Sequence, residues 1–62
     1  MFNNYIYNRA YNMAKYLIRK GVEPKEAIEI TIDKYKNTKI DLNKLKKRIR
    51  KDIKRDFYLE DI

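Results

Sequence analysis

The only glycine of this 62-residue chain, Gly21, and its only proline, Pro24, stand three residues apart. A chain so poor in backbone breakers is free to run in long helices, with one enforced interruption. Before that interruption Phe2, Ile6, Ala10, Met13 and Leu17 recur at steps of four, four, three and four, the spacing of one helical face. It predicts a first helix over about 3–20. Gly21 can take the left-handed conformation that closes this helix, with Val22 placed to touch Leu17. Pro24 disfavours helical geometry at Glu23, and its own fixed φ suits the first position of a second helix.

The second helix is expected over about 24–36, with Ile28, Thr31, Ile32 and Tyr35 facing inward, Ala27 at the margin and Asn37 as a left-handed terminator. Glu26 falls in its first turn, where the helix dipole favours an acid. A third helix over about 42–59 follows from Leu42, Leu45, Ile49, Ile53 and Phe57. Asp41 is its expected N-cap, because Ile40 and Leu45 then hold the two positions of a hydrophobic staple, and Thr38 with Asp41 is the competing capping box. The one strand-like alternation, Ile28-Glu29-Ile30-Thr31-Ile32, is too short to outweigh the helical period. The expected fold is all-α, a compact three-helix bundle with short connecting turns that forms a single domain over 1–62.

Charge is distributed very unevenly over those three helices. Sixteen Lys and Arg against nine Asp and Glu leave a formal charge of +7. Eight of the basic residues (Lys44, Lys46, Lys47, Arg48, Arg50, Lys51, Lys54 and Arg55) lie in one run whose single acid is Asp52, itself a net of +7. Residues 1–43 carry eight basic and five acidic groups, and the tail from Asp56 carries three acids, so the remainder of the chain cancels. At 100° per residue the eight cations cover every direction that the apolar stripe leaves open. Lys46, Arg50 and Lys54 form one flank, Lys44, Arg48 and Arg55 the other, and Lys47 with Lys51 the outermost ridge.

Like charges one helical turn apart repel, so a helix of this kind favours a polyanion beside it. Phosphate suits it, since Arg offers a planar fork and Lys a point charge. The favoured expectation is a small DNA-binding or regulatory accessory factor that contacts phosphates through its third helix, DNA being preferred over RNA. The competing reading is a non-enzymatic protein-interaction module (an inhibitor, adaptor or antitoxin-like subunit) gripping an acidic protein partner. A merely solvated face would mix signs, and this one does not. No stretch approaches the length of a membrane span, and the stripe of helix three is needed for the core, so no membrane partner is expected. A helix-turn-helix is matched only in part: the glycine turn precedes a helix that is not basic, and the joint before the basic helix has no glycine.

Other side chains suggest contacts. Tyr7, Tyr11, Ala14 and Ile18 lie on a second side of helix one and are expected to support self-association as a homodimer. Ile30 points away from Ile28, between Glu26 and Asp33, either as a single exposed apolar residue or as part of the same kind of contact. Tyr5, Tyr16 and Tyr35 suit the edge of a small core, and Tyr11 or Tyr58 offers a ring for stacking on unpaired bases. Arg9, placed beside Ile6 and Met13, is expected to form an interhelical ion pair with Asp52 or Asp56. Two carboxylates alone do not fill a divalent-cation site, so no metal is expected.

Cys, His, Ser, Gln and Trp are all missing. Disulfides, zinc knuckles and the common nucleophile–base pairs therefore cannot be assembled, and no glycine-rich phosphate loop exists. A chain of this length encloses no deep cleft. Enzymatic activity, cofactors and a small-molecule substrate are accordingly not expected. The start Met1-Phe2-Asn3-Asn4 lacks the pattern of a secretory signal, and the cytoplasm is the expected compartment.

Overall fold

The computed structural model, which describes residues 4–60, divides the chain into α1 (Asn4–Arg19), α2 (Pro24–Lys34) and α3 (Leu42–Asp56). There is no strand among the described residues. Gly21 closes α1 with a φ of 103°. Its amide donates to the Ile18 carbonyl and that of Val22 to the Leu17 carbonyl, both at 3.0 Å, the two bonds of a Schellman turn. Glu23 is extended and Pro24 is the first residue of α2. At the start of α3 the Asp41 carboxylate accepts a hydrogen bond from the Lys44 amide at 3.1 Å, which makes it the N-cap. Ile40 is half-buried against the core that holds Leu45.

Both later helices stop sooner than the periodicity predicts. α2 ends at Lys34 rather than near 36, and Asn37 is not its left-handed terminator. The Tyr35 and Lys36 amides instead donate to carbonyls three residues back, Ile32 and Asp33, at 3.0 and 3.3 Å. Thr38 serves this end and not the start of α3: its hydroxyl donates to the Tyr35 carbonyl at 2.6 Å. Tight three-residue bonds and a hydroxyl satisfy the terminal carbonyls, so no left-handed residue is needed. α3 ends at Asp56, three residues short of 59, and there the left-handed residue is Tyr58, with φ 56°. The Phe57 amide donates to the Ile53 carbonyl and the Leu59 amide to the Lys54 carbonyl, each at 2.9 Å. Leu59 turns back onto the core, so the chain bends away from the helix axis to bury one more leucine.

The three helices pack pairwise into a three-helix bundle of 29 × 18 × 17 Å. Its centre is Tyr7, Ala10 and Ala14 of α1, Ala27, Ile28 and Thr31 of α2, and Leu45, Ile49 and Ile53 of α3. The Thr31 hydroxyl, fully buried, donates to the Ala27 carbonyl at 2.8 Å, so its polarity is absorbed within its own helix. α2 and α3 present the predicted faces, with Ala27 wholly buried instead of marginal.

α1 does not present the predicted face. It is turned so that Tyr7, Ala10 and Ala14 point to the centre, Tyr11 and Ile18 pack beside them, and Ile6, Met13 and Leu17 are half-buried at the margin. Phe2 lies outside the described residues. Small side chains line the centre on this side, with Ala10, Ala14 and Ala27 all without exposure, while the Tyr7 ring is turned towards Arg48 of α3. The Tyr7 and Tyr11 rings stack with centroids 5.8 Å apart and planes 6° from parallel. The Arg48 guanidinium lies 5.0 Å from the Tyr7 centroid and the Lys15 ammonium 4.5 Å from that of Tyr11. The expectation that Tyr7, Tyr11, Ala14 and Ile18 form a separate face for a homodimer is therefore overturned. These residues form the seam of α1 within its own bundle, with Tyr7 only 8% exposed.

Candidate nucleic-acid interface

α3 reaches solvent along one side only, because Leu45, Ile49 and Ile53 are committed to the centre with Leu42 and Phe57 half-buried on the same stripe. Its eight cations fall into two groups. The first is engaged by neighbouring helices and by the turns of α3. Lys46 pairs with Glu29 of α2 across one flank. Arg48 lies over Tyr7 of α1 across the other. Arg55 reaches back with Nη1 to Asp52 at 3.3 Å and forward with Nε to Asp56 at 3.1 Å.

The second group is Lys44, Lys47, Arg50, Lys51 and Lys54. None of them has a carboxylate in ion-pair range among the described residues. Lys54 is half-buried and the other four are exposed. From Lys44 to Lys54 the helix rises about 15 Å, long enough to lie beside about four phosphates of one DNA strand. Lys47 and Lys51 repeat at one turn, so both point outward together. The wheel placement of the two flanks agrees with the tertiary contacts: Lys46 meets α2 and Arg48 meets α1.

Arg9 is not where the interhelical ion pair requires it. It is exposed, donates from Nη1 to the Tyr5 hydroxyl at 3.0 Å, and sits 5.6 Å from the Tyr5 ring centroid. That hydrogen bond, followed by the neighbouring Tyr35 hydroxyl, pushes the guanidinium above its ordinary pKa. With Asn12, Met13, Lys34 and Tyr35 it lines a groove of about 350 Å³ between α1 and α2. Asp52 and Asp56 belong to Arg55 instead. The physical reason is the rotation of α1, which carries Arg9 towards the end of α2 and away from α3. Ile30 remains at the surface, 40% exposed. Among the described residues no group of three or more His, Cys, Asp or Glu is gathered as a metal site would require, and no helix is long and apolar enough to cross a membrane.

Two cations that the sequence pattern leaves unassigned join the basic side through the tertiary fold. α1 and α3 run in the same direction, with Tyr7 of the first turns of α1 beside Arg48 in the middle of α3, and Lys15 and Arg19 beside the end of α3. Lys15 and Arg19 of α1 consequently share a groove of about 520 Å³ with Arg55, Asp56, Phe57 and Tyr58. The available sequence signal is topological: in an up-down-up bundle the first and third helices end at the same pole. Comparison of the chain with protein-family models, with curated proteins and with solved structures finds no match.

Proposed function

We propose that this protein is a small, non-enzymatic nucleic-acid-binding factor that holds phosphates along α3, with DNA as the preferred polyanion. The observation that carries the reading is the group Lys44, Lys47, Arg50, Lys51 and Lys54, five cations with no carboxylate in ion-pair range among the described residues, on a helix whose apolar stripe is spent on the core. Mutual repulsion within this group is relieved when phosphates approach, and counterions released from the DNA add a salt-dependent driving force. Backbone contacts of this kind position a protein on a duplex without reading its sequence. The function is therefore that of an accessory factor, with affinity set chiefly by electrostatics.

Binding to a random-sequence duplex, followed from about 50 to 200 mM salt, tests this. If about four phosphates are neutralised, log K falls against log salt with a slope near −3.6, a loss of roughly a hundredfold over that range. Substituting Lys47, Arg50, Lys51 and Lys54 together by Glu should abolish binding while leaving the helical circular dichroism intact, because all four lie off the core stripe. Failure to detect duplex binding by the native protein at about 50 mM salt overturns the reading.

A further inference from the structure

Tyr58 occupies a position normally given to glycine. Its φ of 56° is left-handed, which is strained for any residue with a Cβ and rare for a bulky one. Its side chain is 91% exposed, so the ring contributes nothing to the core in return. Closure of α3 does not need that ring either: the bond that completes the turn comes from the Leu59 amide, and the apolar contact from the Leu59 side chain. Strain is thus retained at a residue whose side chain is almost wholly exposed, a pattern that points to a use outside the fold. The backbone on either side of the ring is hydrogen-bonded back to α3, through the 2.9 Å bonds made by the Phe57 and Leu59 amides.

Its surroundings define that use. Tyr58 and Phe57 stand on the open groove of about 520 Å³ at the shared pole of α1 and α3, with Lys15, Arg19 and Arg55 as its cations and Asp56 as the one carboxylate among the described residues that line it. Asp56 is already bonded to Arg55, and Lys15 and Arg19 have no carboxylate in ion-pair range among the described residues. Arg55 is also the last cation of the α3 run, so the groove continues the basic side rather than forming a separate patch.

We propose that this groove is a stacking site for an unpaired nucleobase, in which the base lies on the Tyr58 ring and its flanking phosphate meets Lys15 and Arg19. The proposal rests on the nucleic-acid reading of α3 and adds a preference to it. An exposed aromatic ring accepts the face of any base, and adjacent cations hold the backbone. Bases inside a continuous duplex are stacked on one another and present no free face. The site therefore selects overhangs and single-stranded segments over uninterrupted duplex.

Tyr58→Gly separates binding from folding, because the two move in opposite directions. Glycine is at ease at this φ, so the thermal midpoint rises, while affinity for a duplex with a short oligothymidine overhang falls about tenfold, the effect of losing one stacked base. Affinity for the same duplex without the overhang stays unchanged. Because the chain has no tryptophan, Tyr58→Trp places a single indole in the groove, and its emission should be quenched by the overhang and by free oligothymidine. Unchanged overhang affinity in Tyr58→Gly, or unquenched indole emission, overturns the proposal. If the blunt duplex fails to bind while free oligothymidine still quenches the indole, the reading of α3 falls and the stacking site stands. If neither binds, both fall.

Discussion

The Tyr11 hydroxyl is buried with no hydrogen-bond partner among the described residues, although its ring is well placed between that of Tyr7 and the Lys15 ammonium. A buried donor left unmade costs about 1–3 kcal/mol, and removing the group relieves that cost. Tyr11→Phe is therefore expected to stabilise the fold by about 1 kcal/mol, which in a domain of this size raises the thermal midpoint by roughly 4–8 °C. A lowered midpoint would show that the hydroxyl is satisfied in solution. Tyr11 also illustrates why single side chains on α1 are hard to place from the sequence. Its stripe of larger apolar residues and its true core line differ by a rotation that depends on where two alanines meet another helix, and Arg9 is misplaced by the same rotation.

Helix ends are a different matter, since a cap is a local transaction between a side chain or a φ angle and amides a few residues away. A Cβ added at Gly21 would meet nothing within 4 Å, so Gly21→Ala carries only the backbone penalty of its φ of 103°, about 1 kcal/mol. Asp41→Ala removes the 3.1 Å bond to the Lys44 amide and should also cost about 1 kcal/mol. The two positions belong to different helices and share no partner, so urea denaturation of the double variant should show the two losses adding. Both caps are legible because Gly, Pro and Asp act within one turn of where they stand. Tyr58 is not legible in this way. Nothing local asks for a left-handed tyrosine, and the bend exists because Leu59 reaches the core.

Taken together, the molecule is a bundle about 18 Å across with most of its uncompensated charge on one helix. Its cations on α3 repel one another in the free state, and added salt screens charges separated by about 10 Å at 0.1 M ionic strength. The thermal midpoint should therefore rise between low and moderate salt, opposite in sign to the fall of duplex affinity over the same range. In the variant with Glu at Lys47, Arg50, Lys51 and Lys54 the midpoint should lose this rise. A native midpoint that falls with salt would mean that ion pairs such as Lys46 with Glu29 outweigh the repulsion on α3.

The number of helices, their approximate limits, the stop at Gly21, the start at Asp41 and the concentration of charge on α3 are all written in the chain, because each depends on periodicity or on neighbours within a turn. The core faces of α2 and α3 are legible for the same reason: each has a single apolar stripe, with Ile30 the one large apolar residue of α2 off it. α1 is apolar over more than half its circumference, so sequence alone leaves its rotation open. Packing chose the alanine line, drew Tyr7, Tyr11, Ala14 and Ile18 into the interior, and released Arg9 to solvent. The meeting of Lys15 and Arg19 with Arg55 and Tyr58 likewise comes only from the fold, since these groups lie far apart along the chain and are joined by the parallel course of α1 and α3.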